Sequence, residues 1–195
     1  MKLWASPVIG ALVIVPSLGV SGSIAWQTEA KGMNTVVLEQ PFYVVGYSVR
    51  TRNDKEMSDD GKIGPLWQRF MQGNFAAQIP NRTDDALIVV YSDYASDENG
   101  DYDYLLGARV TSIDKLPAGT TYTIVQPGSY AVVMTEVGAM PGVLRGAWRR
   151  IWQMTPAELG GRRAFQTDFE IYDQRSADPK RGQVEIHIGL KRGNN

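Results

Sequence analysis

The run Asp168-Phe169-Glu170-Ile171-Tyr172 sets two carboxylates and a phenol at alternate positions. On an extended strand Asp168, Glu170 and Tyr172 therefore share one face, and Phe169 and Ile171 the other. A carboxylate among aromatic rings can do two kinds of chemistry. Kept from water, it is the counter-charge for an organic cation, because attraction grows as the dielectric falls, and each ring face adds roughly 0.5–2 kcal/mol of cation–π energy. With water or a strained electrophile beside it, the same group acts as general acid or base. The run Val184-Glu185-Ile186-His187-Ile188 alternates in the same way and puts Glu185 and His187 on one face.

Other chemistries lack their residues. The single histidine, His187, has no recognisable nucleophile context for a Ser-His-Asp triad. With no cysteine there are no thiolate nucleophiles, disulfides or Cys-ligated zinc. One histidine with scattered carboxylates makes no metal site, and His187 reads more simply as a sheet-face residue. The acidic run Asp97-Glu98-Asn99-Gly100-Asp101 lacks the spacing of an EF-hand loop and reads as a hairpin tip on Asn99-Gly100. None of the twenty glycines builds a phosphate loop or a Gly-x-Ser-x-Gly elbow, so no cofactor is expected. The net charge of −1 gives no footprint for nucleic acid. Arg145, Arg149 and Arg150 are the one basic concentration, read as a solvated helix face against a phosphate-binding stripe.

The elements that must position these residues read as one unit written twice. The first copy has a strand at Phe42–Arg50, a helix at Ile63–Met71, and strands at Ala86–Tyr91 and Leu105–Val110. The second has strands at Tyr122–Val125 and Tyr130–Thr135, a helix at Gly142–Met154, and strands at Phe165–Tyr172 and Gln183–Leu190. The expected fold is α+β: duplicated strand-helix-strand-strand half-domains, about 36–112 and 120–191, forming two antiparallel sheets with a pseudo-two-fold ligand cleft between them. Leu144, Ala147, Trp148 and Ile151 form a core-facing helix stripe. Phe169 and Ile171 are then the natural partners of the Trp148 helix, which turns Glu170 away from it and into the cleft. Tyr47 and Tyr91 are assigned to the cleft from their repeat positions. The same pattern also admits Glu170 as an edge-strand charge paired with Arg162 or Arg163. Trp67 and Trp148 also fit core packing, and Tyr43, Tyr102 and Tyr104 fit strand or hairpin aromatics.

Leu66-Trp67-Gln68-Arg69-Phe70, Pro127-Gly128-Ser129-Tyr130-Ala131-Val132 and Asp168-Phe169-Glu170-Ile171-Tyr172, in that order, resemble the GyrI-like, or AraC-type effector-binding, domain. The resemblance covers roughly Val36 to Lys191. It implies a cleft for amphipathic, often cationic and aromatic, small molecules, and by motif match the cleft glutamate falls on Glu170. It also implies two alternatives: a hydrolase of strained electrophiles using Glu170, or a protein-interaction and inhibitor module. Together these readings nominate Glu170, Tyr172, Tyr47, Tyr91, Trp148, Glu185 and His187 as ligand-binding residues. Glu170 is the catalytic residue in the hydrolase alternative.

The N-terminus reads as a separate object. Met1-Lys2, the mostly apolar Leu3–Val20 and the small residues Ser23 and Ala25 fit a signal peptide over residues 1–25, cut after Ala25. Pro7 and Pro16 interrupt the apolar run, against a permanent membrane helix. Residues 26–35 read as a linker and 36–192 as the globular domain. The expectation is a periplasmic or secreted protein, with an uncleaved N-terminal membrane anchor as the alternative.

Overall fold

The computed structural model describes residues 33–192. The expected signal peptide, and all but the end of the expected linker, lie outside the described residues. Strand β1 (Asn34–Leu38) begins within the segment read as linker. It is followed by β2 (Phe42–Thr51), the short helix α1 (Asn53–Glu56), α2 (Ile63–Met71), β3 (Leu87–Ser92) and β4 (Tyr102–Val110). The second half holds β5 (Thr121–Val125), β6 (Gly128–Met134), α3 (Gly142–Gln153), α4 (Pro156–Leu159), β7 (Thr167–Tyr172) and β8 (Glu185–Gly189). No helix among the described residues is long and apolar enough to cross a membrane.

The class is α+β, but the expectation of two sheets is corrected. All eight strands form one antiparallel sheet in the order β1-β6-β8-β7-β3-β4-β2-β5. The reason is the central ladder: β3 and β7 pair directly, from Leu87↔Tyr172 to Ser92↔Thr167. The two halves expected to enclose a cleft between separate sheets are thus hydrogen-bonded into one. Each half contributes its strands in the same order outward from this ladder, and the outermost strands are exchanged. β1 pairs with β6 of the second half, and β5 pairs with β2 of the first.

The sheet is apolar on both faces. One face, with Val45, Val89, Leu106, Ile186 and Ile188, packs against Leu66 and Phe70 of α2 and Trp148 and Ile151 of α3. The other holds Val44, Ile88, Val90, Leu105, Val125, Tyr130 and Phe169. At the crossing of β2 and β4, Gly46 lies opposite Gly107. An added Cβ at Gly107 would stand 2.0 Å from the Val45 carbonyl oxygen, so the two backbones approach as only paired glycines allow.

Local sequence fixes the helices. Lys62 offers no side-chain cap to α2, and Glu56 supplies one from the preceding segment, accepting the Lys62 and Ile63 N–H groups at 2.9 and 3.1 Å. Leu66 and Phe70, one turn apart, are its buried stripe. Thr155 and Glu158 form a capping box that starts α4.

Candidate functional site

A cavity of about 790 Å³ lies between the sheet, α2, α3 and the segment 53–61. Its aromatic walls are Trp67 from α2, Trp148 and Trp152 from α3, and Tyr91, Tyr102, Tyr104 and Tyr172 from three neighbouring strands. Tyr91 sits opposite Tyr104 in the β3–β4 register, with ring centroids 5.1 Å apart. Trp67 meets Tyr172 edge-on at 5.0 Å and donates its indole N–H to the Tyr104 oxygen at 2.8 Å.

Behind this wall stands Glu170, with no exposed surface. Its Oε1 accepts the Tyr91 hydroxyl at 2.8 Å and the Trp148 Nε1–H at 2.6 Å, and its Oε2 accepts the Tyr172 hydroxyl at 2.7 Å. It forms no ion pair among the described residues. Burial pushes the Glu170 carboxyl above its ordinary value, and the bonds from Trp148, Tyr172 and Tyr91 pull it back part of the way. Burial raises Tyr91, Tyr104 and Tyr172 far above the usual phenol, with the nearby Glu170 charge adding to it, so all three stay protonated and able to donate.

The face assignment made from alternation is therefore corrected. Glu170 points toward α3, not away from it, and Phe169 and Ile171 pack on the opposite face of the sheet. The alternation could not choose because both faces of β7 are covered. Nor is Glu170 an edge charge held by Arg163. That guanidinium pairs with Asp168 at 2.7 Å, while Asp168 also accepts the Tyr94 hydroxyl at 2.7 Å and the Gly189 N–H at 2.8 Å.

Of the nominated residues, the structure brings Glu170, Tyr172, Tyr91 and Trp148 together. Tyr47 is elsewhere, stacked on Phe75 at 4.3 Å with the Arg69 guanidinium 3.9 Å over its ring. Glu185 and His187 lie on the far face of the sheet. The register Phe169↔His187 fixes this, and the imidazole stacks on Phe169 at 4.2 Å while its Nε2 meets Glu185 Oε1 at 2.8 Å. Trp67, Tyr102 and Tyr104 belong to the cavity wall, although their sequence contexts read as core and hairpin. The available signal was the hairpin at Asn99-Gly100, whose return strand carries tyrosines back against Tyr91.

Residues 35–190 match the family described as Cass2, integron-associated effector binding protein. A Bacillus subtilis (strain 168) protein named as a transcriptional regulator, YobU, is 31% identical over 148 residues, 75% of this chain and 91% of that one. The integron cassette protein VCH_CASS2, from the mobile metagenome of Vibrio cholerae, shares the fold with a TM-score of 0.63. It is 31% identical, and the match covers 83% of this chain and 97% of that one. The structure of SAV2435 bound to tetraphenylphosphonium superposes with a TM-score of 0.65 at 15% identity, over 82% of this chain and 93% of that one.

Proposed function

The chain belongs to the integron-associated effector-binding protein family, and from that premise we propose that it captures amphipathic small molecules, cationic and aromatic, with Glu170 as the buried counter-charge. One observation carries this reading: a carboxylate with no exposed surface and no ion-pair partner among the described residues, bonded to three rings that line the cavity. A negative charge in that position acts through little water, so its field extends into the cavity. The donating hydrogens of Tyr91, Tyr172 and Trp148 are turned toward Glu170, which leaves electron-rich ring faces for a guest. A micromolar complex needs about 8 kcal/mol, within reach of one unscreened charge and several ring contacts. The phosphonium held by SAV2435 is an aromatic cation of this class, on a chain of the same fold.

Capture fits this geometry better than turnover. Tyr91, Tyr172 and Trp148 occupy the carboxylate and stand between it and the cavity, where a hydrolase would need water on Glu170. As a sequestering or sensing component it would act outside the cytoplasm if residues 1–25 are a leader. An intact mass beginning at Trp26 would support that, and a mass that includes residues 1–25 would overturn cleavage.

The test is calorimetric titration of the full chain and of Glu170→Gln with tetraphenylphosphonium and with neutral triphenylphosphine oxide. Selective binding of the cation, weakened at least tenfold in the variant, is the expected result. Equal affinity of the variant for the cation would remove the counter-charge.

A further inference from the structure

That reading leaves a second charge pattern in the same cavity without a role. Leu144, Trp148 and Trp152 of α3 line the cavity, and so do Arg145 and Arg149, both exposed. One helical turn apart, the two guanidinium groups are neighbours of like sign and repel. Arg145 also sits in the first turn of α3, where the helix dipole disfavours positive charge. α3 carries no acidic residue that could relieve either, and neither arginine makes an ion pair among the described residues.

Arg163 lies near the same indole, its Cζ 6.0 Å from the Trp148 ring. It lines the cavity, and its side chain is only 8% exposed. Asp168 takes its Nη2, whereas Nε and Nη1 have no hydrogen-bond partner, Nη1 standing 3.7 Å from Glu98 Oε2. Arg145, Arg149 and Arg163 thus line the cavity with Trp148, alongside Glu56, Asp59 and Glu98, and Glu170 backs its floor. A guest that also carries an acid meets two unpaired guanidinium groups suited to charge-assisted hydrogen bonds.

We propose that the cavity takes zwitterionic amphiphiles: a cationic aromatic body against Tyr91, Tyr104 and Tyr172, and an acidic group, carboxylate or sulfonate, held at the rim by Arg145 and Arg149. This rests on the cation reading of Glu170 and adds the second end of the ligand.

The probes are rhodamine 6G, a cationic ethyl ester, and its free acid, which has the same chromophore as a zwitterion. Fluorescence anisotropy on the full chain at low salt should show the acid binding tighter than the ester by roughly five- to tenfold, as charge-assisted bonds to a partly exposed Arg pair allow. The double variant Arg145→Gln, Arg149→Gln should erase that preference by weakening the acid alone, and added salt should shrink it in the native chain. Both side chains are exposed, so the variant is expected to keep its fold, checked by its Tm. Equal binding of the two dyes to the native chain, or a preference that survives the double variant, overturns the rim site. Failure of both dyes to bind, or an ester affinity indifferent to Glu170→Gln, overturns the cation reading and this inference with it.

Discussion

Trp148 donates its indole N–H to Glu170 Oε1 across 2.6 Å, joining the middle of α3 to the strand at the centre of the sheet. The carboxylate is at once a structural acceptor and a buried charge with no ion-pair partner among the described residues. Stability and binding should therefore separate at this residue. Glu170→Gln keeps an acceptor for the rings and removes an unpaired buried charge, so its stability should stay within about 1 kcal/mol of the native chain while cation binding falls. Glu170→Ala orphans three buried donors and should cost roughly 3 kcal/mol or more. Urea unfolding of the two variants beside cation titration checks both. Equal destabilisation by Gln and Ala would remove the distinction.

The pH dependence follows from the same group. The folded-state pKa of Glu170 lies above its ordinary value of 4.5. Its contribution to stability is then fully present below that ordinary value and is lost as pH rises through the folded value. Ligand-free stability should gain from Glu170 on mild acidification, whereas affinity for tetraphenylphosphonium should fall in the same window, because the cation requires the ionised form. Titrations at several pH values, read as differences from Glu170→Gln, should show the Glu170 share of the two quantities moving in opposite directions. A cation affinity constant across that range would contradict the assignment.

Much of this arrangement was legible in the sequence, for identifiable reasons. The helix at 142–153 announced itself by the apolar stripe ending in Ile151, and the order of elements and the Glu170-x-Tyr172 spacing pointed to the site. Two things were hidden. Ile88 and Val90 face one side of β3 and Val89 the other, all buried, so alternation carried no sign of which side held the helices. The β3–β7 ladder joining the halves depends on pairing between segments about eighty residues apart, which no local pattern encodes. Trp67 and Tyr104 were invisible as a pair for the same reason, since only the fold brings indole and phenol to 2.8 Å.

That pair yields a prediction of its own. Trp67→Phe keeps an aromatic wall and removes the hydrogen bond to Tyr104, at a cost of about 1 kcal/mol in stability. It should weaken cation binding by roughly two- to fivefold, since indole offers the strongest ring face. The same measurements on Tyr47→Phe should show no change in binding, because Tyr47 is stacked on Phe75 away from the cavity. A Tyr47 effect as large as that of Trp67 would mean the guest reaches beyond the described walls.

The glycine pair at the crossing of β2 and β4 should tolerate no side chain. Cβ atoms at Gly46 and Gly107 would each stand 2.0 Å from a backbone carbonyl oxygen, and backbone cannot swing aside as a flexible side chain can. Gly107→Ala is expected to destabilise by about 3 kcal/mol or more. Thermal unfolding of this variant within a degree of the native chain would show that the strands can separate there at little cost.

His187 supplies the control with the opposite sign. Burial pulls its pKa below the ordinary 6.5, and the bond to Glu185 restores only part of the loss. Such a group contributes stability that is present above 6.5 and lost as pH falls through the depressed folded value. His187→Phe preserves the stack on Phe169 and removes this titration, so it should reduce the acid-side loss of stability, leaving the share of Asp173 and Glu185, whose carboxyls the Arg175 hydrogen bonds hold below their ordinary range. Because His187 and Glu185 lie across the sheet from Glu170, the substitution should leave cation affinity and its own pH dependence untouched. An acid-side loss unchanged in His187→Phe would show that His187 carries none of it. If cation binding changed instead, the two faces of the sheet would be coupled through the β7–β8 ladder, where Phe169 sits opposite His187 and beside Glu170.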